Sequence, residues 1–210
     1  NNEIVKNTSS TTTTVGATLV NNAYSRVTIN DGVLSLAGAP LVLGLGAELE
    51  GTFATFDGDV ISVGGLIGMS SLSSENGPLS ITGSLTLDAD STLVFDIAGI
   101  TEPTDFDYLN VTGDIILGGT AVILWDKFTA GNTDTFDLIR TSGASTISGA
   151  FSDVYTPNGT IGATFDNGID PQRMQLAWTS TSPIVFWDIN ASGNWNTASN
   201  WSTGTVPGAG

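Results

Sequence analysis

Between Leu79 and Ile97 apolar and polar residues alternate almost without a break, and this restricts the fold more than any other stretch. Leu79, Ile81, Leu85, Leu87, Leu93, Phe95 and Ile97 fall on one parity. Ser80, Thr82, Ser84, Thr86, Asp88, Asp90, Thr92 and Asp96 fall on the other, with Val94 the apolar exception. A strand turns successive side chains to opposite faces, so the pattern describes β-structure with one dry and one wet face. On a helix the same residues would scatter around the cylinder. The run is too long for one ordinary strand and is expected to break at Gly83 and around Asp88 to Ser91.

Short β signals also recur from Val15 to about Ile67. Val27 and Ile29 precede a turn at Asn30-Asp31-Gly32, followed by Leu34, Leu36, Leu41, Leu43 and Leu45, then Phe53 and Phe56. Asp57-Gly58 marks another turn before Val60, Ile61 and Val63. Asx-Gly pairs supply the left-handed backbone that tight turns need. Residues 64–77, rich in Gly and Ser, read as a loop. Ile61 to Gly65, Leu79 to Gly83 and Leu109 to Gly113 share one theme: apolar, polar, apolar, any residue, Gly. The copies lie roughly 20 to 30 residues apart, the spacing of stacked repeats. An all-β parallel β-solenoid (β-helix) with variable corner loops is expected, with a β-sandwich or jelly roll as the alternative. Three segments are read: a Ser/Thr-rich lead or joining strand at 1–14, a body at 15–182, and a Trp/Gly-rich start of a further repeat or linker at 183–210.

Charge narrows the partners. Five Lys plus Arg stand against twenty-one Asp plus Glu, a net charge of -16. Nucleic acids and anionic lipids need clustered cations, so neither suits this chain. Cations, neutral sugars and other copies of itself under screening salt remain. No apolar run reaches the length of a membrane-spanning helix, so no membrane insertion by this chain is expected. The chain begins at Asn1 without a signal peptide, which fits a removed leader or a piece of something larger. Absence of cysteine removes disulfides and thiolate chemistry, and absence of histidine removes the usual general base and zinc ligand.

The densest motif set lies in residues 104 to 157. Asp105-Phe106-Asp107-Tyr108-Leu109-Asn110-Val111-Thr112-Gly113 leads to Ile115, Leu117-Gly118-Gly119-Thr120, then Gly131, Asp134, Phe136, Leu138-Ile139, Gly149 and Phe151. This order resembles the C-terminal part of autotransporter-type passenger regions and related bacterial surface strand-repeat proteins. Asn132 and Thr133 separate Gly131 from Asp134, a small departure from that pattern. Trp187, Gly193, Trp195, Asn200-Trp201 and Val206-Pro207 resemble the opening of a fresh repeat of the same type. The resemblance implies a secreted or surface-exposed β-solenoid with structural or adhesive work. It supplies no catalytic residues.

Candidate sites follow from residue chemistry. Asp88, Asp90, Asp96, Asp105 and Asp107 are candidate Ca²⁺ ligands, because Ca²⁺ takes several hard oxygens. Asp57 and Asp59 form a second short pair. No EF-hand or nonapeptide Ca²⁺ repeat occurs, and no other cofactor is expected. Paired carboxylates could serve a glycosidase, but the chain spares few basic residues for sugar chemistry, and no enzyme is expected. Trp187, Trp195 and Trp201 are a candidate platform for extracellular glycans, or the core of the next repeat. Trp125 and Trp178 read as packing residues. The expected function is a structural module of a bacterial cell-surface or extracellular fibre that self-associates through terminal coils or strands. A glycan-binding adhesin is the alternative.

Overall fold

A computed structural model of the chain describes residues 3–7, 10–16, 19–21, 23–68, 76–126, 128, 130, 134–156, 163–166, 170, 172–178, 185, 187–189, 191–202 and 204–207. The described residues are all-β apart from one 3₁₀ turn, Ala198–Asn200.

The strands come in rounds of three. The first round is β1 (Glu3–Lys6), β2 (Thr12–Val15) and β3 (Val20–Asn21). The second is β4 (Arg26–Ile29), β5 (Gly32–Leu36) and β6 (Leu41–Leu43); the third is β7 (Glu48–Gly51), β8 (Ala54–Asp57) and β9 (Val60–Ser62). The fourth is β10 (Leu66–Gly68), β11 (Pro78–Ile81) and β12 (Leu85–Leu87); the fifth is β13 (Thr92–Ile97), β14 (Tyr108–Val111) and β15 (Ile115–Leu117). The sixth is β16 (Thr120–Trp125), β17 (Thr135–Thr141) and β18 (Ile147–Gly149), followed by β19 (Asp153–Tyr155), β20 (Ala163–Asp166) and β21 (Arg173–Trp178).

Each round gives one strand to each of three sheets. Sheet A runs β1-β4-β7-β10-β13-β16-β19, sheet B runs β2-β5-β8-β11-β14-β17-β21-β20, and sheet C runs β3-β6-β9-β12-β15-β18. Pairing from β1 to β19 is parallel throughout. Antiparallel pairing, on which a sandwich or jelly roll is built, joins only β17 to β21 and β20 to β21 among the described strands.

Register stacks like on like. In sheet A the inward ladder is Val27, Leu49, Ile67, Leu93 and Ala121, all fully buried. In sheet B, Ala54, Leu79, Leu109 and Ile139 align, and in sheet C, Leu41, Val60, Leu85, Ile115 and Ile147 align. The three ladders merge into one apolar core. In a middle round the strand backbone bonds to the strands of the rounds on either side, and each inward apolar side chain of the ladders sits between two others.

The Leu79–Ile97 alternation resolves as expected into β11, β12 and β13, with breaks at 82–84 and 88–91. Its apolar parity is buried throughout. The three strands belong to three different sheets, so the dry parity faces one shared core from three directions.

Three local expectations need correction. The Gly/Ser-rich stretch 64–77 contains a strand, β10. Leu45 and Phe53, read as strand residues, lie on corners and are exposed, Phe53 with φ +53°. Alternation simply runs on past the strand ends there. The Ile61 copy of the repeat theme lies in sheet C, whereas Leu79 and Leu109 align in sheet B. The copy that stacks on Leu79 is Ala54-Thr55-Phe56-Asp57-Gly58. The theme describes any short strand followed by a corner, and nothing in it identifies the sheet. Its glycine has a reason in sheet B: a Cβ on Gly113 would lie 2.5 Å from Ser84 Oγ and 2.7 Å from the Gly83 carbonyl oxygen.

Candidate functional site

The five acidic residues singled out from the sequence divide between two corners. Asp88 and Asp90 follow β12, where the chain turns from sheet C to sheet A. Asp88 Oδ1 accepts the N–H groups of Gly64 and Asp90, each at 3.0 Å, and the Ser91 hydroxyl at 2.7 Å. Partial desolvation pushes the Asp88 carboxyl up, but hydrogen bonds from Ser91 and from the backbone of Gly64, Asp90 and Ser91 outweigh it and hold its pKa below the ordinary value. Ser91 Oγ also lies 2.8 Å from Ser62 Oγ, both serines being buried. Asp88 thus fastens one round to the previous one. Asp90 is exposed.

Asp96, Asp105 and Asp107 belong to the opposite turn, from sheet A to sheet B. Residues 98–107 fold back on β13: Ala98 N–H donates to the Asp105 carbonyl at 2.7 Å and Asp107 N–H to the Asp96 carbonyl at 2.9 Å. Asp107 is 1% exposed, and its two carboxylate oxygens accept the N–H groups of Gly77 (3.0 Å) and Asp96 (2.9 Å). Desolvation dominates, lifting its pKa to about 7. Desolvation, then the Asp126 charge, lifts Asp96 to about 6. Asp96 Oδ1 is buried with no hydrogen-bond partner. Asp105 is half-buried, and hydrogen bonds from Thr101 and Thr104 hold it below the ordinary range. No group of three or more acidic side chains placed to hold a metal occurs among the described residues.

The same corner carries charge contacts that sequence reasoning missed. Arg140 on β17 forms a bidentate pair with Glu102, both distances 2.6 Å, and its guanidinium lies 4.7 Å from the Tyr108 ring centroid. Arg173 on β21 pairs with Asp137 at 2.5 Å, and Gln175 reaches the same carboxylate at 2.8 Å. These residues lie 36 to 38 positions apart in the chain, and only the stacking register could have brought them to notice.

Asp57 and Asp59 border a polar groove of about 400 Å³ where sheet B turns into sheet C. Asp57 accepts the hydroxyls of Ser35 (2.7 Å) and Thr82 (2.5 Å) from the rounds on either side. Those bonds, Thr82 first, hold its carboxyl low. Asp59 Oδ1 accepts the Ser84 N–H at 2.8 Å. Both carboxylates therefore do the same work as Asp88, tying rounds together.

The three tail tryptophans converge. Trp187 and Trp201 meet edge-to-face at 5.0 Å, and Trp195 and Trp201 at 4.4 Å. Trp201 is 6% exposed and Trp195 58%. The indole N–H groups of Trp187 and Trp201 donate to the carbonyls of Ala191 (3.1 Å) and Trp195 (2.8 Å). Trp187 and Trp201 are thus spent on holding residues 187–201 together, and Trp195 alone offers a broad open surface. Trp125 is buried against Phe128 and Phe136, as a packing residue should be. The side chain of Trp178 lies outside the described residues.

The sheet ends differ. Among the described residues no strand lies beyond β1, β2 or β3. Thr12, Thr13 and Thr14 of β2 are exposed, as is Glu3 of β1. At the other end sheet B finishes on the antiparallel β20–β21 pair, while β18 and β19 are outermost in sheets C and A. No helix of the described residues is long and apolar enough to cross a membrane. Comparison with protein-family models, curated proteins and solved structures finds no match to this chain.

Proposed function

We propose that the chain is a non-enzymatic structural module of a bacterial cell-surface or extracellular fibre, a β-solenoid that joins to other copies through its terminal strands. One observation carries the reading: strand n pairs in parallel with strand n+3 from β1 to β19, and among the described residues the first round is outermost in all three sheets. Such an edge presents a row of backbone donors and acceptors that another strand can extend. The acidic, cysteine-free composition and the resemblance to autotransporter-type passenger regions support the extracellular setting.

Negative-stain electron microscopy of the purified chain, with and without EDTA, tests the reading. Ordered filaments are expected, and their loss in EDTA would assign the Asp-rich corners to Ca²⁺. Deleting residues 1–14 removes β1 and most of β2 and is expected to abolish assembly. Single particles under every condition would overturn the fibre reading.

The exposed face of Trp195 favours a second reading, an adhesin that stacks a neutral glycan on that ring. Trp195→Ala should then abolish glycan-array binding with the far-UV spectrum unchanged. An array without hits on folded protein removes this alternative.

A further inference from the structure

The chain carries three Asn-Gly dipeptides, Asn76-Gly77, Asn158-Gly159 and Asn167-Gly168. A glycine has no Cβ to shield its backbone nitrogen, so such a pair leaves that nitrogen open to attack the asparagine side chain before it. The second and third pairs lie outside the described residues. At the first, Gly77 has to be glycine: a Cβ there would lie 2.6 Å from the Phe53 ring. Gly77 is buried, and its N–H donates to Asp107 Oδ1 at 3.0 Å. The Asn76 side-chain amide donates to the Asp105 carbonyl, also at 3.0 Å. Both acceptors belong to the 98–107 segment that folds back on β13.

We infer that Asn76-Gly77 is a dormant self-modification site, held unreactive by Asp105 and Asp107 and released when residues 98–107 move away. The reaction is intramolecular deamidation. The Gly77 nitrogen attacks Asn76 Cγ; the N–Cγ bond forms and the Cγ–Nδ2 bond breaks. Ammonia leaves with the proton that the Gly77 nitrogen gives up. Water then opens the cyclic imide at either carbonyl, leaving Asp or isoaspartate at position 76. In the imide Cγ stands where the N–H hydrogen stood, so the nitrogen must attack along its own N–H direction. In the fold the Asp107 carboxylate occupies that direction. The Asp105 carbonyl holds the amide end of Asn76, and reacting atoms kept out of line lose the advantage of proximity.

The conversion runs one way. Asp at position 76 puts a carboxylate where an N–H donor faced the Asp105 carbonyl, and its charge beside Asp107 opposes closure. Isoaspartate also adds a methylene group to the backbone immediately before β11, whose register with β14 begins at Pro78 and Tyr108. Neither product restores the amide donor, so an opening that ends in reaction is recorded permanently. The chemistry is the same whether the chain acts in a fibre or as an adhesin.

Peptide mass spectrometry of the purified chain, incubated at mildly alkaline pH both folded and in denaturant, tests this. In denaturant Asn76, Asn158 and Asn167 are each followed by glycine and are expected to deamidate at similar rates. In the folded chain Asn76 is expected to react on the order of a hundredfold more slowly than in denaturant, the cost of misplaced reacting atoms. Equal rates at Asn76 in the two states would overturn the protection. Asp107→Asn, checked for an unchanged far-UV spectrum, keeps one acceptor oxygen for the two N–H groups of Gly77 and Asp96 and should raise the folded rate at Asn76 several-fold. Glu102→Gln removes the bidentate Arg140 pair from the same segment without touching either acceptor, and should raise it by a smaller factor. A folded rate unchanged in both variants would overturn the guarding role of residues 98–107. Should Asp107→Asn fail to fold, Glu102→Gln alone decides.

Discussion

The turn from sheet C into sheet A and the turn from sheet A into sheet B solve the same geometric problem in opposite ways. The first is short in every round: 44–47, 63–65, 88–91, 118–119 and 150–152. Glycines and small hydroxyl residues let the backbones of successive rounds nearly touch there, and Asp88, Ser62 and Ser91 close the remaining gaps. The second takes five residues, 7–11, in the first round and two in the next two, 30–31 and 52–53, while the later strands are separated by 69–77, 98–107 and 126–134. Where sheet A leads into sheet B in the fifth and sixth rounds, the rings of Phe106, Trp125, Phe128 and Phe136 seal the core, and the buried Asp107 carboxylate accepts the N–H groups of Gly77 and Asp96. A corner with no spare room tolerates no larger side chain. A corner with longer connections, as at 98–107, can carry ionisable groups, and with them a dependence on conditions.

The largest test strikes the tight corner. Gly119 has φ +71°, and a Cβ there would lie 2.0 Å from the Ser91 carbonyl oxygen. Gly119→Val combines backbone strain with a clash against main chain and is expected to cost about 4 kcal/mol or more. A variant melting near the parent would show that the corner has slack. Next comes the aromatic seal of the open corner. Phe136 meets Phe106, Trp125 and Phe128 at 5.5, 5.9 and 6.3 Å, and Phe136→Ala should cost about 3–5 kcal/mol in chemical denaturation.

The third test separates the corners by pH. Asp107 has its folded pKa lifted to about 7 from an unfolded value of 3.8. A group raised in this way favours the folded state fully at pH below the unfolded value, and that contribution is lost as pH rises through about 7. The effect is on the order of a few kcal/mol. The melting temperature should therefore fall between pH 5 and pH 8, and Asp107→Asn should flatten that slope. An unchanged slope would place the cause in the net charge instead.

Smaller still is Ser62→Ala, which takes the Oγ from the buried Ser62–Ser91–Asp88 chain and leaves the Gly65 N–H without its acceptor at 3.2 Å. About 1–2 kcal/mol is expected by thermal melting. Smallest is Glu102→Gln. The Arg140 pair is partly solvent-exposed, so about 1 kcal/mol or less should be lost. Hydrogen exchange should speed up in residues 98–107, while 88–91 remain protected. Equal acceleration at both corners would erase the distinction between them.

Much of the strand content was legible because alternation is a local signal. The buried parity of Leu79–Ile97 and the breaks at 82–84 and 88–91 needed no tertiary information. Leu45 and Phe53 misled because alternation continues beyond the hydrogen-bonded strand. The repeat theme misled at Ile61 because a strand in any of three sheets obeys it, and Ala54–Gly58, with alanine at its head, carries a weaker signal. Of the acidic residues, sequence could place Asp88 and Asp90 near a turn. It could not distinguish Asp107, buried on two N–H groups, from Asp105 two residues earlier and only half-buried. Two steps along an extended chain return to the same face only while the strand continues, and here the chain folds back on β13.

The amino-acid sequence by itself determined the β class, the dry parity, the turn residues and the excess of negative charge, since each follows from the chemistry of residues close together in the chain. The assignment of strands to sheets, the Arg140–Glu102 and Arg173–Asp137 pairs and the buried Asp107 were decided only by the tertiary structure. The physical reason is distance along the chain: each depends on which strand pairs with which and in what register, parallel between rounds and antiparallel at β17–β21.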